Sequence, residues 1–169
     1  GANILIRPER GALIRPEDVE RSRVALFRQR ERRIRPGLDD KVLTEWNGLM
    51  LSALAEGAAA TGRTDWLEDA VSNARFLWEN LRRDDGRWMR SWQAEGGPRH
   101  LAYAADHAAM IDGLVRLGEA TGEARWTDMA VDTADTLLVR FSDQHNGGFF
   151  STGNDAETLI TRPKDVFDN

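Results

Sequence analysis

Two segments of the chain resemble each other at a fixed spacing of sixty residues, and this repeat constrains the fold more than any other feature. Aligned without gaps, residues 50–77 and 110–137 share ten identities in twenty-eight positions. Each copy contains an Ala-Thr-Gly triplet followed four residues later by a tryptophan, Trp66 in the first copy and Trp126 in the second. A repeat of fixed period is typical of architectures in which neighbouring units complete one another's hydrophobic core.

Each copy of the repeat predicts two helices joined by a tight turn. Apolar and small side chains recur at three- and four-residue spacing, which is the periodicity of one helix face. The predicted helices run from about 44 to 61 and from 64 or 65 to about 83 in the first copy, and from about 103 to 121 and about 123 to 141 in the second. Gly62 stands between the helices of the first copy, where a helix end is expected. The repeat unit is therefore a helical hairpin.

The rest of the chain is expected to contribute one more helix and short extended segments. A helix is predicted from about residue 17 to residue 33, because Pro16 precedes acidic residues typical of a first turn. Residues 1–11 are expected to be extended, the segment around Trp88 to form a short hairpin or loop, and residues 149–152 to be a short extended segment. The repeat units then run from about 44 to 103 and from 104 to 163, within a single domain fragment, residues 1–169.

Two types of helix alternate within the hairpins, and this predicts how the hairpins are arranged. The first helix of the first copy is rich in alanine and glycine, which allows other elements to approach it closely on several sides. The second helix carries an amphipathic stripe. Such alternation favours an α/α toroid, in which inner helices form a ring and outer helices surround it. The predicted fold class is all-α: a helical hairpin repeat forming a partial α/α toroid, with short β segments between its hairpins.

The composition argues against several classes of function. The chain of 169 residues carries a net charge of −5 at pH 7, which disfavours a nucleic-acid partner. Five arginines between Arg28 and Arg35 are interpreted as the solvated end of a helix, with a phosphate-binding patch as the alternative. The sequence has no cysteine, no histidine pair at metal-ligand spacing and no apolar run long enough to cross a membrane. We therefore expect no metal, no cofactor, no membrane association and a cytoplasmic location.

Four strings of the sequence carry a resemblance to a known family. They are DKVLTEWNGLM at residues 40–50, ADHA at 105–108, GGFFST at 147–152 and LITRPKD at 159–165. The first resembles the signature D-K-x-L-T-x-W-N-G-L-M of the spermatogenesis-associated protein 20-like family, and the last resembles that family's L-I-x-R-x-K-D. The resemblance extends over essentially the whole chain from Asn3 onward.

This resemblance implies that the chain is a fragment of a longer protein. Members of the family are thioredoxin-domain proteins with a C-terminal six-hairpin toroid, so a thioredoxin-like domain is an expected partner in the intact protein. The chain corresponds to about two and a half hairpins of such a ring, and the faces left open favour a homodimer. Two positions depart from the family pattern: His107 stands where tyrosine is usual, and Ala105 stands where the first aspartate of D-D-Y-A is usual.

Toroids of this class resemble glycoside hydrolases and sugar epimerases, whose sites lie in a funnel at the ends of the inner helices. The resemblance therefore implies a sugar or polyol ligand, and such chemistry uses carboxylates or histidine for proton transfer. Asp106 and His107, near the start of the second inner helix, are the predicted catalytic acid or base and proton shuttle. The offset of sixty places Trp46 and Asn47 at the equivalent positions of the first helix. With Glu45 they are predicted to bind substrate, with Trp46 as a stacking platform.

Each of these assignments has a structural alternative. Acidic residues such as Asp106 and Glu45 are also favoured at helix starts by capping and by the helix dipole. Trp66 and Trp126 recur at one repeat position, which favours packing over ligand contact. Trp88 is predicted either to line the funnel and bind substrate or to cover helix ends. The function stays open between an enzyme acting on a sugar or polyol and a non-catalytic scaffold serving the thioredoxin-like domain.

Overall fold

The computed structural model describes residues 16–158 and 160–164 of the chain. The chain divides into two compact units, residues 1–39 and residues 40–169. Both predicted repeat units lie in the second unit. The extended segment predicted for residues 1–11, the resemblance at Asn3 and two positions of the string at 159–165 lie outside the described residues.

The first unit contains one described helix, α1, which spans Glu17–Glu31 and ends two residues earlier than predicted. Pro16 precedes the helix with φ of −55°, and acidic residues occupy the first turn, where they suit the helix dipole. None of the residues of α1 is buried. The arginines from Arg28 to Arg35 are exposed, as expected for the solvated end of a helix.

The second unit consists of two helical hairpins connected through a small sheet. Its elements are β1 (Val42–Leu43), α2 (Thr44–Thr61), α3 (Thr64–Leu81), β2 (Met89–Gln93), β3 (Gly97–Leu101), α4 (Ala104–Thr121) and α5 (Ala124–Phe141). Both hairpins turn through a glycine in the left-handed region, Gly62 at φ 72° and Gly122 at φ 70°. The helix bounds follow the repeat closely, and the predicted all-α fold class is confirmed.

The inner helices α2 and α4 run parallel and in close contact. A methyl group added to Gly48 would lie 2.8 Å from the backbone carbon of Ala109, and one added to Gly113 would lie 2.8 Å from the carbonyl oxygen of Gly48. Only glycine permits this approach at these two positions. The contact sets the two helix starts side by side, which positions the residues of the candidate site.

The outer helices α3 and α5 close the core from one side. Fully buried apolar residues come from the inner and outer helices of both repeats, including Leu51, Leu77, Leu114 and Trp126. Trp66 packs beneath Gly57, where an added methyl group would lie 3.0 Å from the indole ring. The structure thus places both repeated tryptophans in contacts within their hairpins.

A three-stranded antiparallel sheet in the order β1-β2-β3 joins the two repeats. Val42 pairs with Trp92, which ties the start of α2 to the segment that follows α3. The sequence left this segment open between a hairpin and a loop, and the structure shows a hairpin. Within the described residues after α5, the second repeat has an isolated bridge, between Ser142 and Phe149, in place of a sheet. In the part of the chain that the structure describes, no helix is long and apolar enough to span a bilayer.

Candidate functional site

The starts of α2 and α4 meet at Asp106, which is fully buried. Its Oδ1 accepts a hydrogen bond of 3.0 Å from the backbone N–H of Glu45, and its Oδ2 accepts one of 2.7 Å from the N–H of Tyr103. Arg90 from β2 donates to the same Oδ2 through Nη1 at 2.9 Å. One carboxylate therefore caps two helices and holds the sheet against them.

Burial raises the pKa of the Asp106 carboxyl above its ordinary value, while the hydrogen bond from the Tyr103 backbone and the charge of Arg90 act in the opposite direction. Removing this carboxylate from water is unfavourable, and its three donors offset that cost. The side chain has no exposed surface in this conformation. The structure assigns Asp106 a positioning contact, and the catalytic role predicted for it stays a prediction.

His107 lies on the opposite side of the α4 start and is also fully buried. Its Nδ1 is 2.8 Å from the carbonyl oxygen of Tyr103, and its Nε2 is 3.3 Å from Nη1 of Arg87. The carbonyl accepts and the guanidinium donates, so the proton of the neutral ring sits on Nδ1. Burial lowers the pKa of His107 to about 4, which keeps the ring neutral near pH 7. The imidazole packs 4.8 Å from the ring of Phe141.

Arg87 is the buried partner of His107, with 1% of its surface exposed. Its Nε lies 2.9 Å from Oδ2 of Asp155, at ion-pair distance, although the N–H is not aligned for a hydrogen bond. Burial lowers the pKa of Arg87, and the charge of Asp155 opposes that shift. Through its contacts with His107 and Asp155, Arg87 links the start of α4 to the segment after α5. Asn154 of that segment also donates its backbone N–H to the carbonyl of Arg140 at 2.9 Å.

The equivalent residues at the start of α2 have a different environment. Glu45 is half-buried, and its Oε2 lies 3.6 Å from Nη1 of Arg90. Trp46 is 67% exposed. Asn47 donates from Nδ2 to the carbonyl of Leu43 at 2.8 Å, which closes the first turn of α2. Of these three, Glu45 and Trp46 offer accessible side chains, and Asn47 is engaged in the helix start.

A groove of about 500 Å³ opens beside these two helix starts. It is lined by three alanines of α4 and by Glu45, Arg90, Tyr103, Leu137, Phe149 and Ser151. The guanidinium of Arg90 lies 4.6 Å from the centre of the Tyr103 ring, a cation–π contact. The groove thus combines an accessible carboxylate, a cation and two exposed aromatic rings.

Sequence reasoning missed Arg90 and Tyr103. A signal for Tyr103 was present, because the residue three places before an acidic residue at a helix start is the expected N-cap. For Arg90 the only signal was its place between Trp88 and Trp92, in a segment whose alternation is irregular. The long-range contacts that bring it to Asp106 are set by the hairpin of β2 and β3, which the sequence did not define.

Trp88 takes a position in the core and not in the groove. It is fully buried, and its ring lies edge-on to Trp78 with centres 5.7 Å apart. Its Nε1 donates to Oγ1 of Thr133 on α5 at 3.2 Å. Of the two alternatives given by the sequence, the position of Trp88 agrees with packing over helix ends, because no face of the ring is free to touch a substrate.

Two other features bear on the choice of site. A larger groove, of about 790 Å³, follows the outer helix α3 and is lined by residues such as Leu67, Arg75 and Glu123. It lies away from the inner-helix starts and contains none of the predicted site residues. Among residues 16–158 and 160–164, no group of three histidine or acidic side chains is arranged to hold a metal ion.

Comparison with known proteins identifies the relatives of the chain. No protein-family model matches the chain. Human spermatogenesis-associated protein 20 is 35% identical over 133 residues, which cover 74% of this chain and 17% of the relative. The chain is homologous to one segment of spermatogenesis-associated protein 20. The rat protein of that name is 32% identical over 149 residues, covering 83% of the chain and 19% of the relative. The chain thus spans about a fifth of the length of these curated relatives.

Solved structures with a similar fold superpose on this chain. Cellobiose 2-epimerase from Spirochaeta thermophila superposes with a TM-score of 0.63 at 20% identity, over 74% of this chain and 32% of that one. An alpha-amylase from Clostridium perfringens gives a TM-score of 0.50 at 14% identity, over 68% of this chain and 31% of that one. These similarities confirm the toroid-type fold, of which this chain is a fragment.

Proposed function

We propose that the intact protein binds a sugar or related polyol in a funnel, and that this chain supplies part of the funnel wall at the starts of α2 and α4. The observation that carries the proposal is the groove of about 500 Å³, in which Glu45 lies beside Arg90 and the exposed ring of Tyr103. The fold shared with cellobiose 2-epimerase supports this class of ligand. Because one fold hosts many functions, the side chains carry the argument.

The chemistry of the groove fits a polyhydroxylated ring. Glu45 accepts hydrogen bonds from hydroxyl groups, and Arg90 donates to hydroxyl or ring oxygens. Tyr103 and Phe149 present apolar faces to the C–H side of a sugar, and Trp46, which lies outside the groove, stays the stacking platform that the sequence predicts. Glu45 is the accessible carboxylate of the groove, so it is our candidate for acid or base work at the ligand.

Asp106 and His107 support this site from beneath. Asp106 fixes the Glu45 backbone and the Arg90 guanidinium in one contact set, so it orients both groups that face the groove. His107 holds the Tyr103 carbonyl and thereby the start of α4. We propose that both act by positioning. The direct proton transfer predicted for them would require the buried α4 start to open to the ligand.

A thermal-shift screen of neutral monosaccharides, disaccharides and polyols against the intact protein tests the proposal. A ligand at ten times its dissociation constant adds about 1.4 kcal/mol of stability, which raises Tm by a few degrees. Glu45→Gln should reduce the shift. Glu56→Gln is the matched control, because Glu56 is also on α2 and also paired with an arginine but lies outside the groove. The absence of any shift, or equal losses in both variants, would contradict the proposal.

One observation favours the alternative of a non-catalytic scaffold. The two predicted catalytic residues are fully buried in contacts with their own fold, which leaves a single accessible carboxylate in the groove. Acid and base catalysis on sugars commonly uses two such groups. A scaffold would bind the thioredoxin-like domain expected in the intact protein. Calorimetric titration of that domain with this chain tests the alternative. Binding to the wild type that is lost in Tyr103→Ala would favour it.

A further inference from the structure

His100 in β3 has a backbone conformation that residues with a side chain rarely adopt. Its φ is 58°, and in the part of the chain that the structure describes the other residues with positive φ are glycines. A residue in a strand ordinarily has φ near about −140°, and the left-handed region is strained for residues with a Cβ atom. Strained residues of this kind cluster at functional sites, where the surrounding structure holds them.

The conformation of His100 interrupts the ladder between β2 and β3 at one position. The ladder is formed on both sides of this position, by the pairs Met89–Leu101 and Ser91–Arg99. The register therefore sets Arg90 opposite His100, but these two residues do not pair. Arg90 is the cation of the groove, so the interruption falls at the strand residue that the proposed site uses.

At this point the side chain of Arg90 leaves the sheet and contacts the starts of both inner helices. Its Nη1 lies 2.9 Å from Oδ2 of Asp106 and 3.6 Å from Oε2 of Glu45. Its guanidinium carbon lies 4.6 Å from the centre of the Tyr103 ring. All three groups belong to the helix starts and not to β3. Arg90 therefore links the sheet to the groove.

A regular pair at this position would crowd Arg90. In an antiparallel ladder the side chains of opposing residues lie on the same face of the sheet, with Cβ atoms about 4.5–5.5 Å apart. A paired His100 would thus place its imidazole beside the side chain of Arg90. With the left-handed backbone the imidazole is exposed instead, and Arg90 donates to Asp106.

We infer that His100 is a positioning residue for Arg90: its left-handed backbone interrupts the ladder and thereby directs the guanidinium to Asp106 and Glu45. The consequence for a ligand rests on the proposed function, whereas the consequence for the position of Arg90 does not. His100 acts through its backbone, so a replacement is judged by the φ that it tolerates. Glycine and asparagine adopt the left-handed region readily, and β-branched residues do not.

Hydrogen exchange of the intact protein, read by mass spectrometry on peptides that contain residues 103–107, tests the position of Arg90. In His100→Val the backbone returns to the extended region and the ladder closes, so the buried Asp106 loses its cation. Exchange at the α4 start should then be faster by about tenfold or more. In His100→Asn it should stay as in the wild type. Arg99→Val is the matched control, because Arg99 is also exposed on β3 but has no positive φ.

Calorimetric titration with a ligand from the thermal-shift screen gives a second readout, which a merely structural role would not reproduce. His100→Val should weaken binding about tenfold, the loss expected for one hydrogen bond from a charged group. His100→Asn should bind as the wild type does, which separates the backbone conformation from a direct contact of the imidazole. Arg90→Ala added to His100→Val should bring no further loss, because the guanidinium is already displaced.

The role of His100 and the proposed function fail on different results. Exchange at residues 103–107 that His100→Val leaves unchanged, or that Arg99→Val raises as much, overturns the role of His100 whether or not a ligand binds. Equal weakening of binding in His100→Val and His100→Asn overturns it too. If His100→Val does not fold, His100→Gly decides: it should melt at the wild-type temperature or above, and a lower Tm overturns the role of His100. If no sugar or polyol binds, the proposed function fails and the exchange result still stands.

Discussion

The starts of α2 and α4 are equivalent in the repeat but differ in exposure and in chemistry. Position 106 is a buried aspartate with three hydrogen-bond donors, and the equivalent position 46 is a tryptophan that is 67% exposed. Position 107 is a buried neutral histidine, and position 47 is a half-buried asparagine that closes its own helix turn. The same backbone geometry therefore holds buried packing contacts in the second repeat and exposes a side chain to solvent in the first.

The difference follows from which side of each helix is covered. Asp106 sits on the side of α4 that faces α2, so its carboxylate reaches the backbone of Glu45. Trp46 sits on the same side of α2, which in this chain is open. A residue that must be buried there needs satisfied hydrogen bonds, whereas an exposed one does not. At this one repeat position, the buried Asp106 is therefore a structural residue, and the exposed Trp46 is a candidate ligand contact.

The largest effect is expected for Asp106→Ala. The substitution leaves the guanidinium of Arg90 and the backbone N–H groups of Glu45 and Tyr103 without their acceptor, and breaking a buried ion pair costs about 3–5 kcal/mol. Urea denaturation measures the loss. The exposed Asp128→Ala on α5 is the control and should change stability by less than about 0.5 kcal/mol. Similar losses in the two variants would contradict the role of Asp106 as a shared cap.

The free energy of unfolding should depend on pH through His107, which has no titrating equivalent at the start of α2. The pKa of His107 is lowered to about 4 in the folded chain, so below about pH 6.5 the unfolded state binds a proton that the folded state does not. Stability therefore decreases as the pH is lowered, with a slope that approaches about 1.4 kcal/mol per pH unit, and about 1.5 kcal/mol is lost between pH 6.5 and pH 5. The raised pKa of Asp106 acts with the opposite sign, but it is common to the proteins compared.

Denaturation at pH 7, 6 and 5 checks this slope. The stability of His107→Asn should depend less on pH than that of the wild type. The substitution removes the imidazole, which binds a proton in the unfolded state but stays neutral beside Arg87 in the folded state. His145→Asn is the matched control, since His145 is exposed. If the profile of His107→Asn follows that of the wild type, the histidine is not held neutral by burial.

A smaller loss is expected for Gly48→Ala, which tests whether the two helix starts depend on the close approach of α2 and α4. The added methyl group would lie 2.8 Å from the backbone of Ala109, so the helices must separate at a cost of about 1–3 kcal/mol. Gly57→Ala on the same helix meets only the ring of Trp66 at 3.0 Å and should lose less. If the two variants are equally stable, the contact between α2 and α4 at Gly48 accommodates a methyl group.

The fold was largely predictable because the information is local and occurs twice. The repeat and its three- and four-residue periodicity placed α2 to α5 within about two residues, and Gly62 predicted a turn, which the structure shows in a left-handed conformation. The environment of the site was not predictable in the same way. Burial of Asp106 depends on Arg90, which arrives through a hairpin, and on Glu45, sixty-one residues away in sequence.

The burial of Trp88 could not be predicted from the sequence either. Its neighbours Arg87, Met89 and Arg90 give no clear periodicity, so the sequence did not show whether Trp88 faces the core or solvent. Only the packing of Trp78 and the hydroxyl of Thr133 on a distant helix decide that it is buried. Side-chain identity at a helix start or hairpin therefore indicates chemistry, and long-range contacts decide whether that chemistry is accessible.

The smallest effect on stability, and the one most informative for function, is expected for Trp46→Ala. Because the indole is 67% exposed, its loss should change the free energy of unfolding by less than about 0.5 kcal/mol, whereas Trp88→Ala should lose about 3–5 kcal/mol. If Trp46 stacks on a sugar, the loss of about 0.5–1.5 kcal/mol of aromatic contact weakens binding about twofold to tenfold. Calorimetric titration with a ligand from the thermal-shift screen measures this change. Unchanged affinity together with a large loss of stability would mean that the start of α2, like that of α4, serves cohesion.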